Sequence, residues 1–416
     1  MTIRDRLIAC KGVGPGFDHL RVGLSLSILF WHSFGISYGI EWTHALSPLP
    51  WNAILSALLP MFFSLSGFLI MGSAMRTNNL RTFITFRVLR ILPALVTEIS
   101  LSALIVGPLL TAIPLVAYFT NPEFFAYFGS LIGWVHYKLP GLFLANPIPT
   151  VVNGALWTVG PEILCYIIVS ILMLTGVFRR KVPMVIWTAL YIAICIATDY
   201  WQNPEIMGVF PRKILILGFL AGNLVFHYQD RLPYGPAAGV VAFVTAFGLA
   251  GVINAVPSLY LLIYPCVFAF AYLTALIGLT KLPPLPFFHR GDYSYGIYIY
   301  GFPIQQAITH FLPDHREWWI NFAIALPLTL IFAVASWHLV EKPFLQLRKR
   351  FNTTRAPEMD AGPVARWNSR KSMLLAFLLL YGLFVGVASR IFPFKEIYHS
   401  VRGIEQQGGD STQPPF

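Results

Sequence analysis

Charge is scarce in this chain: Asp, Glu, Lys and Arg make up 11% of its 416 residues, against 56% that are hydrophobic. No soluble domain of that length can hide so much apolar surface, so a water-soluble globular protein is excluded. Cysteine is scarcer still. Cys10, Cys165, Cys195 and Cys266 are scattered, with neither metal-ligand spacing nor a disulfide framework. The ten histidines include no helical ligand pair flanking an acid, so no metal site is expected. The start does not read as a cleavable signal, because its first apolar stretch is too long and has no small-residue cleavage site. Internal repeats and low-complexity tracts are absent as well. The glycine run Gly12-Val13-Gly14-Pro15-Gly16 follows no strand, and its proline spoils a dinucleotide loop.

What recurs instead is apolar runs of about 20 residues, each long enough to cross a bilayer as a helix. They predict eleven spans, near residues 18–40, 51–75, 90–114, 156–178, 182–198, 211–227, 236–254, 259–280, 293–312, 318–340 and 372–392. Phe124–Val135 reads as a re-entrant or interfacial segment. The net charge of +11 sits at membrane exits rather than on a basic soluble face, so it reads as an orientation signal and not as a nucleic-acid partner. Lys and Arg crowd the N-terminus and every second connection, which predicts a cytoplasmic N-terminus. With eleven spans the tail would lie outside. The expected division is a membrane domain over 1–345, a basic cytoplasmic linker over 346–371, a further transmembrane helix over 372–392 and a flexible tail over 393–416. The longest outer connection, from about Pro114 to Ala155, is long enough to cover an outer opening or meet a large acceptor.

Ionisable groups in hydrocarbon are costly and normally face a bundle interior or a water-filled path. Arg21 stands at the entrance of the first span and His32 follows eleven residues later. Eleven helical residues make almost three turns, so both lie on one face, roughly 16 Å apart. His32 lies roughly 21 Å into its span, and Glu162 on the fourth span lies roughly 9 Å from the opposite end. In a core of about 30 Å those depths coincide. A carboxylate beside an imidazole fixes its tautomer and favours its protonated form, as a general base requires; a structural buried pair has the same depth match. Arg87 and Arg90, at the cytoplasmic start of the third span, point to one face and suit a phosphate, although arginines there also set topology. Ser64 and Ser66 either allow close helix packing or line a path. Asp292 reads as an N-cap of the ninth span, and Glu341-Lys342-Pro343 closes the tenth.

Together these segments resemble the acyltransferase-3 family over about residues 17–345. The likeness rests on Phe17-Asp18-His19-Leu20-Arg21 followed by His32, then Phe63-Ser64-Leu65-Ser66-Gly67-Phe68 and Arg87-Val88-Leu89-Arg90. Leu156-Trp157-Thr158-Val159-Gly160-Pro161-Glu162, Ser294-Tyr295-Gly296-Ile297-Tyr298 and Glu341-Lys342-Pro343-Phe344 follow in the family's order. The resemblance implies an all-α polytopic membrane bundle of about ten helices, with 372–392 as an eleventh. It also implies transfer of an acyl group, usually acetyl, from cytoplasmic acyl-CoA to a hydroxyl of a surface glycan or lipid-linked sugar at a bacterial inner membrane. The chain is most similar to stand-alone exopolysaccharide and surface-glycan O-acetyltransferases. On that resemblance Arg21, Arg87 and Arg90, with Arg290 and Lys342, would hold the phosphates of acetyl-CoA, and Ser66 would line the path of its arm. His32 would be the base or a transient acyl carrier, oriented by Glu162. Trp157, Tyr295 and Tyr298 would meet the acceptor. Many members carry a histidine shortly after the Ser-Tyr block, where this chain reads Tyr300-Gly301-Phe302-Pro303. A transporter or flippase for a lipid-linked sugar is the alternative class, although such proteins commonly show internal symmetry.

Overall fold

Apolar runs in lipid must satisfy their own backbone hydrogen bonds, and helices do so within one segment. A computed structural model, describing residues 1–12, 14–41, 52–202, 212–283 and 291–348, shows ten long helices where ten of the eleven runs lie. They are α1 (Phe17–Tyr38), α2 (Asn52–Thr77), α3 (Leu80–Leu101), α4 (Val159–Leu174), α5 (Lys181–Gln202), α6 (Arg212–His227), α7 (Pro236–Ala255), α8 (Ile263–Leu279), α9 (Ser294–Phe311) and α10 (Trp318–Ser336). Among the described residues no strand forms, only two isolated bridges. Seven helical stretches, those built on α2, α3, α4, α5, α7, α8 and α10, are long and apolar enough to cross a membrane. The protein is an all-α polytopic membrane protein. The expected span at 372–392, the linker beyond Arg348, the tail and Arg290 lie outside the described residues.

Burial shows which faces meet lipid. On α3 the exposed residues Ile84, Val88, Leu92 and Val96 recur every four positions, a stripe of apolar side chains pointing outward. The opposite face carries Phe83, Ile91, Ala94, Leu95 and Glu98, all buried. That inside-out pattern suits hydrocarbon, where polar groups are the ones that need shelter. The helix also begins earlier than hydropathy predicts. Asn79 caps it by accepting a hydrogen bond from the Thr82 amide, so Arg87 and Arg90 sit two turns inside the helix rather than at its start.

At the centre stands α6, which is buried at almost every position from Ile214 to Val225. It crosses α2 at backbone contact: a Cβ on Gly67 would stand 2.0 Å from the Phe219 carbonyl oxygen, and one on Gly222 2.1 Å from that of Ser64. The Ser64 hydroxyl donates to the Gly218 carbonyl at 3.0 Å across the same crossing. Small residues bring membrane helices together this way, so of the two serines Ser64 serves packing. At the rim, α7 turns Ala242, Ala246 and Ala250 inward and Val240, Val241, Phe243 and Val244 outward.

The long connection before α4 folds into short helices, Leu115–Thr120 and Pro122–Tyr127, and a 3-10 turn, Phe128–Ile132. Tyr118, Phe124 and Tyr127 bury their rings among residues of α3 and α9. Further along, α9 staples the same connection: the Gln306 amide donates to the carbonyls of Ile148 (2.9 Å) and Val151 (2.6 Å), and Asn146 donates back to Gln306.

Candidate active site

The starts of α1, α3 and α9 and the ends of α2 and α10 gather at one end of the bundle, and each brings a polar group. Asp292, just before α9, accepts from Arg21 at 3.0 Å and from Arg90 at 2.6 Å. The Ser294 hydroxyl donates to its other oxygen. Burial works to raise the Asp292 carboxyl, but Arg90 and then Arg21 override it and hold the group below the usual carboxylate range. Asp292 is therefore a clamp between two guanidiniums and not the N-cap its position suggests; α9 begins with no side-chain cap. A π-helical turn, Trp337–Glu341, follows α10 and carries the buried Glu341 to 3.7 Å from Arg90. Arg87 differs. It donates to the Ser73 hydroxyl at 3.2 Å, pairs with no carboxylate among the described residues, and leaves its buried Nε without a partner.

These guanidiniums open onto a cavity of about 120 Å³ that runs into the bundle. In this measure one water needs about 10–15 Å³, so roughly ten waters, or the end of a slender chain, would fit. Arg21, Arg87 and Arg90 stand on its wall with Ser66, Glu162, Tyr166, Ser294, Tyr295, Tyr298 and Thr158; Phe62, Phe63 and Ile91 supply much of the apolar lining. Glu162, in the first turn of α4, accepts from the Tyr166 hydroxyl one turn below. Tyr295 leaves its buried hydroxyl without a partner, while that of Tyr298 meets Thr158 at 2.7 Å and donates to the Ala155 carbonyl at 3.1 Å. A guanidinium-lined mouth thus leads to a hydroxyl- and carboxylate-lined interior.

The structure brings together seven of the eleven residues singled out from sequence: Arg21, Ser66, Arg87, Arg90, Glu162, Tyr295 and Tyr298 all line this one cavity. His32 is placed elsewhere. Its ring packs edge-on against Phe302, centroids 5.2 Å apart, and Phe302 is one turn beyond Tyr298 on α9. One turn is about 5.4 Å, and neither His32 nor Phe302 lines the cavity, so His32 stands off its wall. Glu162 meets Tyr166, and no hydrogen bond joins it to His32 among the described residues. Trp157 is half-buried on the 3-10 turn Gly154–Thr158, away from the lining, and Lys342 is exposed. Arg290 lies outside the described residues.

Two participants escaped the sequence reading. Tyr166 is one turn from Glu162, a spacing that would have flagged it. Glu98 is a carboxylate in the middle of an apolar span, the type of residue that marks a site by default. It accepts from Ser102 at 2.9 Å and from Asn153 at 2.8 Å, and Asn153 also donates to the Ile299 carbonyl. Through Asn153, Glu98 therefore ties the 3-10 turn that precedes α4 to α3 and α9.

Residues 15–338 match the acyltransferase domain model of the acyltransferase-3 family. The chain is similar to an O-acetyl transferase of Shigella phage Sf6, with 24% identity over 79% of this chain and 95% of that protein. It is also similar to Nodulation protein 10 of Rhizobium leguminosarum bv. viciae, with 25% identity over 81% of this chain and 95% of that one. No solved structure matches it.

Proposed function

The chain belongs to the acyltransferase-3 family and is a membrane O-acyltransferase; from that premise we propose that it moves an acetyl group from cytoplasmic acetyl-CoA to a hydroxyl of a surface glycan or lipid-linked sugar. One observation carries this reading: a single cavity with guanidiniums at its mouth, a carboxylate within and phenols at its far end, inside a lipid-facing bundle. Arginine forks suit phosphates, and the Lys/Arg bias of the connections assigns that mouth to the cytoplasmic side. This favours acyl transfer over a transporter. The protein would reside in the cytoplasmic membrane.

In this mechanism the donor's phosphates stay at the mouth with Arg21, Arg87 and Arg90, and its arm passes Ser66 toward Tyr298. The acceptor hydroxyl arrives from the opposite end, past Trp157, and the His32 ring would turn from Phe302 toward the tip of the arm beside Tyr298 to meet it. His32 takes the hydroxyl proton as the oxygen attacks the thioester carbonyl carbon. The carbon–sulfur bond breaks, and the departing thiolate recovers the proton from the imidazolium, so CoA leaves as a thiol. Glu162, held by Tyr166, sets the field along the arm instead of touching the imidazole. Acyl transfer then needs no donor to cross the membrane.

Purified full-length protein with labelled acetyl-CoA and host membranes tests the reading. His32→Ala should abolish labelling of the glycan while the protein stays folded. Full turnover by that variant would remove His32 from the chemistry.

A further inference from the structure

The match to the family domain model ends at residue 338, yet one more guanidinium from beyond it comes near Arg87 and Arg90. Arg348, two residues past the short helix Lys342–Gln346, donates to the Phe86 carbonyl on α3 at 2.8 Å and lies over the Phe86 ring at 5.3 Å. Phe86 is the residue before Arg87, so two guanidiniums share one turn of α3. Among the described residues neither pairs with a carboxylate, and each buries its Nε without a partner. Arg21 and Arg90, by contrast, share Asp292.

Burial and then the like charges of Arg87 and Arg90 pull the Arg348 guanidinium down to about 10. Half-buried cations held together with no carboxylate in ion-pair contact among the described residues are unfavourable on their own, and an anion with several oxygens relieves them. Guanidinium forks and phosphate oxygens match in geometry as well as charge.

We propose that Arg348 and Arg87, which lines the cavity, form a phosphate subsite on the Phe86–Arg87 turn of α3. The subsite takes the diphosphate or the ribose phosphate of the donor, resting here on the donor reading above. A phospholipid headgroup presents the same chemistry from the membrane. Arg348 thus brings the chain beyond the family domain into donor recognition.

The test uses the full chain in phosphatidylcholine nanodiscs, titrated calorimetrically with inorganic pyrophosphate, acetyl-CoA and phosphate-free S-acetylpantetheine. Arg348→Ala should weaken pyrophosphate and acetyl-CoA about tenfold and leave S-acetylpantetheine unchanged, which also shows an intact cavity. Arg348→Lys, keeping charge without the fork, should recover part of the loss. Equal pyrophosphate affinity in wild type and Arg348→Ala overturns the subsite even where acetyl-CoA binds. If pyrophosphate binds through Arg348 and acetyl-CoA does not bind, the subsite stands and the donor reading falls. Competition by phosphatidylglycerol in the nanodisc then identifies the headgroup as its source.

Discussion

Replacing Asp292 by Asn removes the carboxylate that Arg21 and Arg90 share while keeping its size. Losing one partner of a buried ion pair costs about 3–5 kcal/mol, because the remaining charge stays buried and unpaired. Here Arg21 and Arg90 are 25% and 21% exposed, and each keeps a second acid, Asp18 at 3.1 Å and Glu341 at 3.7 Å. The first of these is a surface pair and worth little, so the expected loss is about 2–3 kcal/mol. Its pH dependence is fixed by sign. The folded carboxyl is depressed below its ordinary value near 3.8, so its contribution is complete above that value and fades as pH falls through the folded one. Thermal unfolding in detergent at a series of pH values reads this directly. Wild type should melt higher than Asp292→Asn by a constant margin from about pH 8 to pH 5, and the margin should shrink only below about pH 4. Equal melting of the two proteins at pH 7 would refute the clamp.

Gly222→Ala should destabilise the α2–α6 crossing by about 1–3 kcal/mol, since its Cβ would stand 2.1 Å from the Ser64 carbonyl oxygen; a detergent melting curve reads the loss. Gln306→Leu removes donors from the carbonyls of Ile148 and Val151, each bond worth about 0.5–1.5 kcal/mol. Amide exchange should accelerate in residues 146–153 and stay unchanged in α6. Tyr166→Phe frees Glu162 from its hydroxyl partner and should lower turnover several-fold with little change in donor affinity, as steady-state kinetics would separate.

The helices were legible because about 20 apolar residues in lipid have few alternatives to a helix. Their ends were less so. Arg81, Arg87 and Arg90 depress hydropathy at the start of α3, yet the Asn79 cap and the outward Ile84–Val88 stripe carry the helix back to Leu80. In the same way Asp199 ends the apolar run of α5, but the helix continues to Gln202. Three-residue spacing put Arg87 and Arg90 on one face, whereas Arg21 joined them only through the family resemblance, and depth paired Glu162 with His32 rather than with the arginines. Depth along a helix does not give rotation about it, and the His32 ring turns toward Phe302. Asp292 looked like a cap because its partners, on α1 and α3, are distant in sequence.

Filling the cavity is the decisive perturbation. Ser66 lines its wall, and Ser66→Trp should occupy the space while every charged residue of the wall is kept. Equilibrium binding of acetyl-CoA to the purified full-length protein in nanodiscs should then fall at least about tenfold, as it should for Arg87→Ala, while Arg179→Ala, outside the cavity, should leave it unchanged. Undiminished binding in the Ser66→Trp protein, or no binding by the wild type, would contradict a donor site in this cavity.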